Sequence, residues 1–192
     1  MTRLILVRHG NTFEEGQVAV QIGARTDLPL TAAGLVQAEN MGRYLLAKGI
    51  APQAIFAGGL RRQTESASVI GAMLGLPWQS APALTEIDYG LWEGLPAEEI
   101  ERKWPQEYAE WTREAKWQSH IFQGAHENHR KSLQRWVDEL QTRYPRTTIL
   151  GVTSNGLLRF FRNEKVKTGH FCELELHSNR VNVLLWNQNP SI

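Results

Sequence analysis

Four consecutive aliphatic residues, Leu4-Ile5-Leu6-Val7, run directly into Arg8-His9-Gly10. A short aliphatic run closed by a glycine reads as a buried strand over residues 3–8. A buried strand that ends in a cation and an imidazole points to a site at its end. The rest of the chain repeats the strand signal and alternates it with helices. Thr31 can cap a helix through Leu35, Ala38, Met41, Leu45 and Leu46, which share one apolar face and end at Gly49. Ala54-Ile55-Phe56-Ala57 is a second strand, followed by a helix from about Arg62 to Leu74 that Gly75 and Pro77 stop. Residues 83–95 have no clear period. Residues 96–143 read as helices broken near Pro105 and Gly124, with Leu133, Trp136, Val137 and Leu140 as an apolar stripe. Residues 148–153 form a third strand, Asn155-Gly156 turns into another helix, and 171–176 and 181–186 close the chain as two strands.

This order predicts an α/β fold: a three-layer α/β/α sandwich with a mainly parallel central sheet and a helical insertion, about 96–145, over the site. At 192 residues the chain is expected to form one domain, residues 1–192. A net charge of +1 gives no electrostatic case for nucleic acid or an anionic membrane. The one cysteine, Cys172, cannot form an internal disulfide, which fits a reducing compartment. No run approaches a membrane span and no leader-like segment opens the chain, so a cytoplasmic protein is expected.

In open α/β sheets ligands bind beyond the carboxyl ends of the strands. Three such ends matter: Arg8-His9-Gly10, residues 58–62, and residues 153–156. Arg8 offers a planar fork of donors for phosphate or carboxylate. Gly10 lets a ligand approach the backbone. His9 can serve as nucleophile, base or metal ligand. Arg61 and Arg62 open a helix whose N-terminus also favours an anion. Cations converging on one imidazole suggest an oxyanion pocket, most economically for phosphate.

At this point the sequence resembles the histidine phosphatase superfamily, also called the phosphoglycerate mutase-like family. "LILVRHGNT" is similar to its leading motif, "ARTDLPLTAAGLVQA" (24–38) to the segment after the first loop, and "LRRQTESA" (60–67) to its arginine-bearing motif. "LTEIDYGLWEG" (84–94) is similar to its acid-bearing loop and "GAHEN" (124–128) to a further glutamate segment. The matches fall in family order across most of the chain. The resemblance implies a phosphomonoesterase with a small phosphorylated substrate, no cofactor and no metal. His9 would be the phosphoryl-accepting nucleophile and Glu86 the general acid. Arg8 and Arg62 would clamp the phosphate, with Gly10 and Asn11 beside them. Glu86 would then need a raised pKa, by burial or by negative neighbours.

One position departs from the family. Its second essential histidine, normally His-Gly after a late strand, falls in "GVTSNGLLRFF" (151–161) on Ser154, followed by Asn155. The Ser154 hydroxyl and the Asn155 amide can donate to phosphate, without the charge. His120, His126 or His129 could replace it from the helical insertion. Loss of one preorganised donor costs on the order of 10²–10³ in rate. The alternative to a working phosphatase is therefore an impaired family member that binds a phosphorylated ligand or protein partner. Phosphohistidine removal from proteins fits the same pocket, and the shortness of the chain favours phosphatase over mutase. Glu15 stands where many relatives carry asparagine, an unhelpful charge unless it points away. Arg61 is expected to face solvent, Glu127 to be a helix N-terminal charge, Trp104, Trp111, Trp117 and Trp136 to be packing, and Cys172 to be inert.

Overall fold

The computed structural model describes residues 1–177 and 180–191. Six strands form one sheet: β1 (Thr2–Arg8), β2 (Ala54–Ala57), β3 (Trp78–Ser80), β4 (Thr148–Thr153), β5 (Phe171–His177) and β6 (Arg180–Gln188). Their spatial order is β3-β2-β4-β1-β5-β6. The first four are mutually parallel, and β5 and β6 add an antiparallel edge. The expected mainly parallel sheet is thus what the chain builds. Strand β3 is not among the strands expected from the sequence, since its three residues lack any apolar alternation. It pairs along the edge of buried β2, whose backbone groups need partners.

Alternation along β1 explains the layers. Leu4 and Leu6 join one apolar cluster with Phe56, Trp136, Leu140 and Leu174, whereas Ile5 and Val7 join another with Met41, Leu45, Ile70 and Val152. The second cluster is covered by α1 (Ala32–Ala47) and α2 (Arg61–Leu74), the first by α5 (His126–Arg143). A continuous aliphatic run is required because both faces of the strand are buried. Thr31 caps α1 through its side chain, which accepts from the Gly34 N–H, and Gly75 ends α2 in the left-handed conformation, φ 65°.

Helices α3 (Ala97–Lys103) and α4 (Pro105–Glu114) come after two short 3₁₀ turns at Pro82–Leu84 and Gly90–Trp92. Phe122 packs edge-to-face against Tyr89, Trp92 and Trp111, at centroid distances of 5.0–5.2 Å, and ties these segments together. Beyond β4 lies a single helical turn, α6 (Asn155–Leu158). Among the described residues no helix is long and apolar enough to cross a membrane.

Candidate active site

The carboxyl ends of β1 and β4 lie side by side, with Arg8 opposite Thr153. The His9 N–H continues the ladder to the Thr153 carbonyl at 3.1 Å. Past this point both chains leave the sheet, and a cavity of about 450 Å³ opens above them. Arg8, His9, Asn11, Glu86 and Asn155, all singled out in the sequence, line it.

His9 is only 3 % exposed, and its Nδ1 lies 2.8 Å from the Gly10 carbonyl oxygen. A carbonyl can only accept, so Nδ1 carries the proton and Nε2 keeps its lone pair. Burial, then the charges of Arg8 and Arg62, hold its pKa well below the usual imidazole value. The neutral form of the ring is thereby favoured, and both guanidinium groups act on it.

Arg8 donates from Nη1 to the Val166 carbonyl at 2.5 Å, and its Nε is buried with no partner among the described residues. Arg62, on the first turn of α2, is fully buried. It donates to the carbonyls of Thr26 at 2.7 Å and Gly23 at 3.1 Å, and its Nε also lacks a partner among the described residues. A buried guanidinium with a free N–H keeps capacity for one further acceptor. Arg62 does not reach the cavity wall as Arg8 does.

Glu86 is 5 % exposed. Its oxygens accept from the Ile87 N–H at 2.9 Å and the Gly156 N–H at 3.1 Å. Burial raises its pKa, against the opposing pull of these hydrogen bonds and of Arg62 and Arg8. Of the two causes the sequence left open, burial and negative neighbours, burial is the one present. Gly156 is obligatory here, because a Cβ would run into the Glu86 carboxylate and the Tyr89 hydroxyl. Tyr89 also lines the cavity, and burial, then the charge of Glu86, raise its pKa well above the usual phenol value.

The β4 side differs from expectation. Ser154 is 1 % exposed and is not on the cavity wall. Its hydroxyl accepts from the Gln63 amide at 2.9 Å, and that amide also donates to the Leu84 carbonyl at 3.0 Å. Gln63 is itself fully buried, so it occupies the space a longer residue at 154 would use. The Asn155 side-chain carbonyl accepts from the Val166 N–H at 2.9 Å, and that of Asn11 accepts from the Thr168 hydroxyl. Both are therefore partly engaged in holding the chain between α6 and β5. Gly10 is required by packing within the chain: a Cβ there would collide with the Gly34 backbone at the start of α1.

His120, His126 and His129 do not line the cavity, so none stands in for the histidine missing at 154. His126 stacks on Phe160 at 4.9 Å and His129 tilts against Trp117. Glu15 is exposed and away from the wall. Arg61 pairs with Glu65 on the surface, and Glu127 pairs with Arg130 at the start of α5. Cys172 is buried, its thiol pushed up to about 12 by burial. Trp136 packs in the core, while Trp111 packs and also faces the cavity. Sequence reasoning missed Tyr89, Arg159, Lys165 and Thr168, all on the wall.

The fold agrees with what similarity finds. The model of the histidine phosphatase superfamily (branch 1) matches residues 4–190. The chain belongs to that superfamily. Among curated relatives, an uncharacterized phosphatase PhoE of Bacillus subtilis is 37 % identical over 105 residues, covering 55 % of this chain and 52 % of that protein. An adenosylcobalamin/alpha-ribazole phosphatase of Escherichia coli is 29 % identical over 119 residues, 62 % of this chain and 56 % of the relative. In these alignments the chain spans about half the length of its curated superfamily relatives. A solved mycobacterial glucosyl-3-phosphoglycerate phosphatase, in complex with VO3, shares the fold at TM-score 0.83 and 23 % identity, over 96 % of this chain and 98 % of that one.

Proposed function

We propose that this superfamily member hydrolyses phosphomonoesters through a phosphohistidine at His9. The observation that carries the reading is the pair of opposite pKa displacements in one cavity: His9 down, Glu86 up. At ordinary values, 6.5 for the imidazole and 4.5 for the carboxyl, a neutral histidine beside a protonated glutamate is a rare combination. Lowering His9 and raising Glu86 both shift the balance toward that combination, and it is the one the chemistry needs.

In the first step the Nε2 lone pair attacks phosphorus, the P–O bond to the alcohol breaks, and Glu86 gives its proton to the departing oxygen. The imidazole becomes positive, and its Nδ1–H is held by the Gly10 carbonyl. In the second step the Glu86 carboxylate takes a proton from water, the water oxygen attacks phosphorus, and the P–N bond breaks. Inorganic phosphate leaves, with His9 neutral and Glu86 protonated again. Arg8 meets the phosphoryl oxygens from the wall, and Arg62, set back behind it, adds positive potential. Positioning and charge supply most of the catalysis in phosphoryl transfer.

Beyond the phosphate end the wall is apolar and aromatic, with Phe13, Val20, Ile22, Tyr108 and Trp111. The favoured substrates are esters of bulky, partly apolar alcohols. The test is hydrolysis of p-nitrophenyl phosphate with alkaline quench. The expected result is an acid-labile, alkali-stable phosphoenzyme and turnover, both abolished in His9→Ala. Turnover that survives in His9→Ala would overturn the reading. The second reading, an impaired binding protein, is favoured by the buried, neutral state of Ser154. Vanadate binding without any turnover in the wild-type protein would support it.

A further inference from the structure

The phosphate end of the cavity has lost a donor at Ser154, yet a cation reaches the same wall from elsewhere. We propose that Lys165 supplies the fourth phosphate ligand, its ammonium replacing the charge that β4 no longer delivers. The proposal rests on the phosphatase reading for its catalytic consequence, but not for its binding consequence.

Two observations carry it. First, Lys165 lines the cavity with Arg8, His9 and Glu86, and among the described residues no hydrogen bond or ion pair engages its ammonium. Arg159, the other added cation on that wall, is not free. It donates to the carbonyls of Trp111 at 2.6 Å, Thr112 at 2.7 Å and Asn163 at 3.2 Å, and its guanidinium stacks on the Trp111 ring at 4.7 Å. Arg159 therefore positions α4 rather than a ligand. Lys165 is crowded by positive charge, with partial burial and the Arg8 and Arg159 guanidinium groups lowering its pKa. A cation with no internal partner that shares a cavity lining with Arg8 favours an anion there.

Second, the backbone on both sides of Lys165 is fixed, and on the C-terminal side partly by residues of the site itself. The Glu164 carbonyl accepts from the Trp186 indole at 3.1 Å. Val166 is clamped at both backbone groups, its N–H donating to Asn155 at 2.9 Å and its carbonyl accepting from Arg8 at 2.5 Å. The Lys167 N–H is bound by Asn187 at 2.9 Å, and Thr168 by Asn11. Lys165 is itself exposed although it lines the cavity, and a lysine in an ordinary surface loop needs no such scaffold. Here three residues at the strand ends, Arg8, Asn11 and Asn155, hold the loop that carries it. The residue next to Ser154 thus binds the loop that restores the charge Ser154 lacks.

The experiment measures binding of inorganic phosphate and orthovanadate by calorimetry, and kcat/KM on p-nitrophenyl phosphate, in the wild-type protein and in Lys165→Met and Lys165→Arg. Loss of a charged donor is expected to weaken vanadate at least tenfold in Lys165→Met and to lower kcat/KM by on the order of 10²-fold. Lys165→Arg should stay within about threefold of wild type, because charge is what the site requires. Unchanged vanadate affinity in Lys165→Met overturns the proposal. Equal losses in both variants also overturn it, since the loop and not the charge would then matter. Failure of the phosphatase reading is seen separately, as absence of turnover in the wild-type protein while the anion-binding comparison still decides the role of Lys165.

Discussion

Strands β1 and β4 are neighbours, run parallel and stop at the same level, with Arg8 opposite Thr153. Their carboxyl ends carry unlike residues. After β1 come a guanidinium, a neutral imidazole and a backbone carbonyl that fixes its tautomer. After β4 comes a buried hydroxyl held by Gln63, then an amide that fastens a loop. One end presents chemistry directly, and the other presents scaffolding. The lesson is that a site of given charge can be assembled from adjacent strand ends or from one strand end and the chain that returns over it. Antiparallel β5 makes the second route available, because it brings the segment before it back beside the end of β1.

The largest effect that tests this asymmetry is expected at Glu86, which faces the β1 side and is held from the β4 side through Gly156. Glu86→Gln keeps the shape and removes the proton. A loss of about 10²–10⁴ in kcat is expected on alkyl phosphates, and a smaller one on p-nitrophenyl phosphate, whose leaving group needs less protonation. The alkaline fall in rate, which reports deprotonation of Glu86, should disappear as well. An equal loss on both substrates would assign Glu86 a structural role.

Next in size is an attempt to make the two ends alike. Ser154→His combined with Gln63→Ala restores an imidazole after β4 and clears the space it needs. With Lys165 already providing charge, the gain in kcat/KM should remain below about tenfold. A gain approaching 10²–10³, the worth of one missing preorganised donor, would show that the β4 end cripples the site and favour the impaired reading.

The same asymmetry governs how much was legible in the sequence. The β1 end could be read because its signal is local: Leu4 to Val7 need no partner to look like a buried strand, and Arg8 and His9 come at once after them. A raised Glu86 pKa, by burial or by negative neighbours, was expected from the family resemblance of its loop, and burial is the cause present. The fixing of Ser154 by Gln63 spans 91 residues, and the clamp of Arg8 on Val166, next to Lys165, spans 158, so no window of sequence contains either. Gly10 was recognised as a point of close approach, but only the packing of α1 reveals that Gly34 is what approaches. For Lys165 a signal did exist. Residues 162–170 form a polar connection from α6 to a strand that pairs with β1, and topology alone would have carried it over the cavity.

A smaller effect is expected where the scaffold meets the loop. Asn155→Ala removes the acceptor of the Val166 N–H and leaves that peptide to Arg8 alone on its carbonyl side. One hydrogen bond of this kind contributes about 1 kcal/mol, so Tm should fall by a few degrees. KM should rise several-fold with kcat nearly unchanged, as Lys165 becomes less well placed. A fall in kcat without a change in KM would instead mean that Asn155 acts on the transition state itself.

The subtlest test sets the two titrating groups against each other in stability. His9 has a lowered folded pKa, so below about 6.5 the unfolded chain takes up a proton that the folded one refuses. Its contribution to stability is present above that value and is lost as pH falls. Glu86 has a raised folded pKa, so above about 4.5 the unfolded chain releases a proton that the folded one keeps. Its contribution is present below that value and is lost as pH rises toward the folded pKa. Between the two both groups oppose folding, so the two losses overlap there rather than alternate. Thermal melts from pH 4 to 8 should therefore show His9→Asn gaining on the wild type as pH falls, and Glu86→Gln gaining as pH rises. Each gain should level off once the folded group has titrated. If the two variants instead drift in the same direction with pH, the groups do not carry opposite displacements, and the neutral pair on which the phosphoryl-transfer scheme stands is absent.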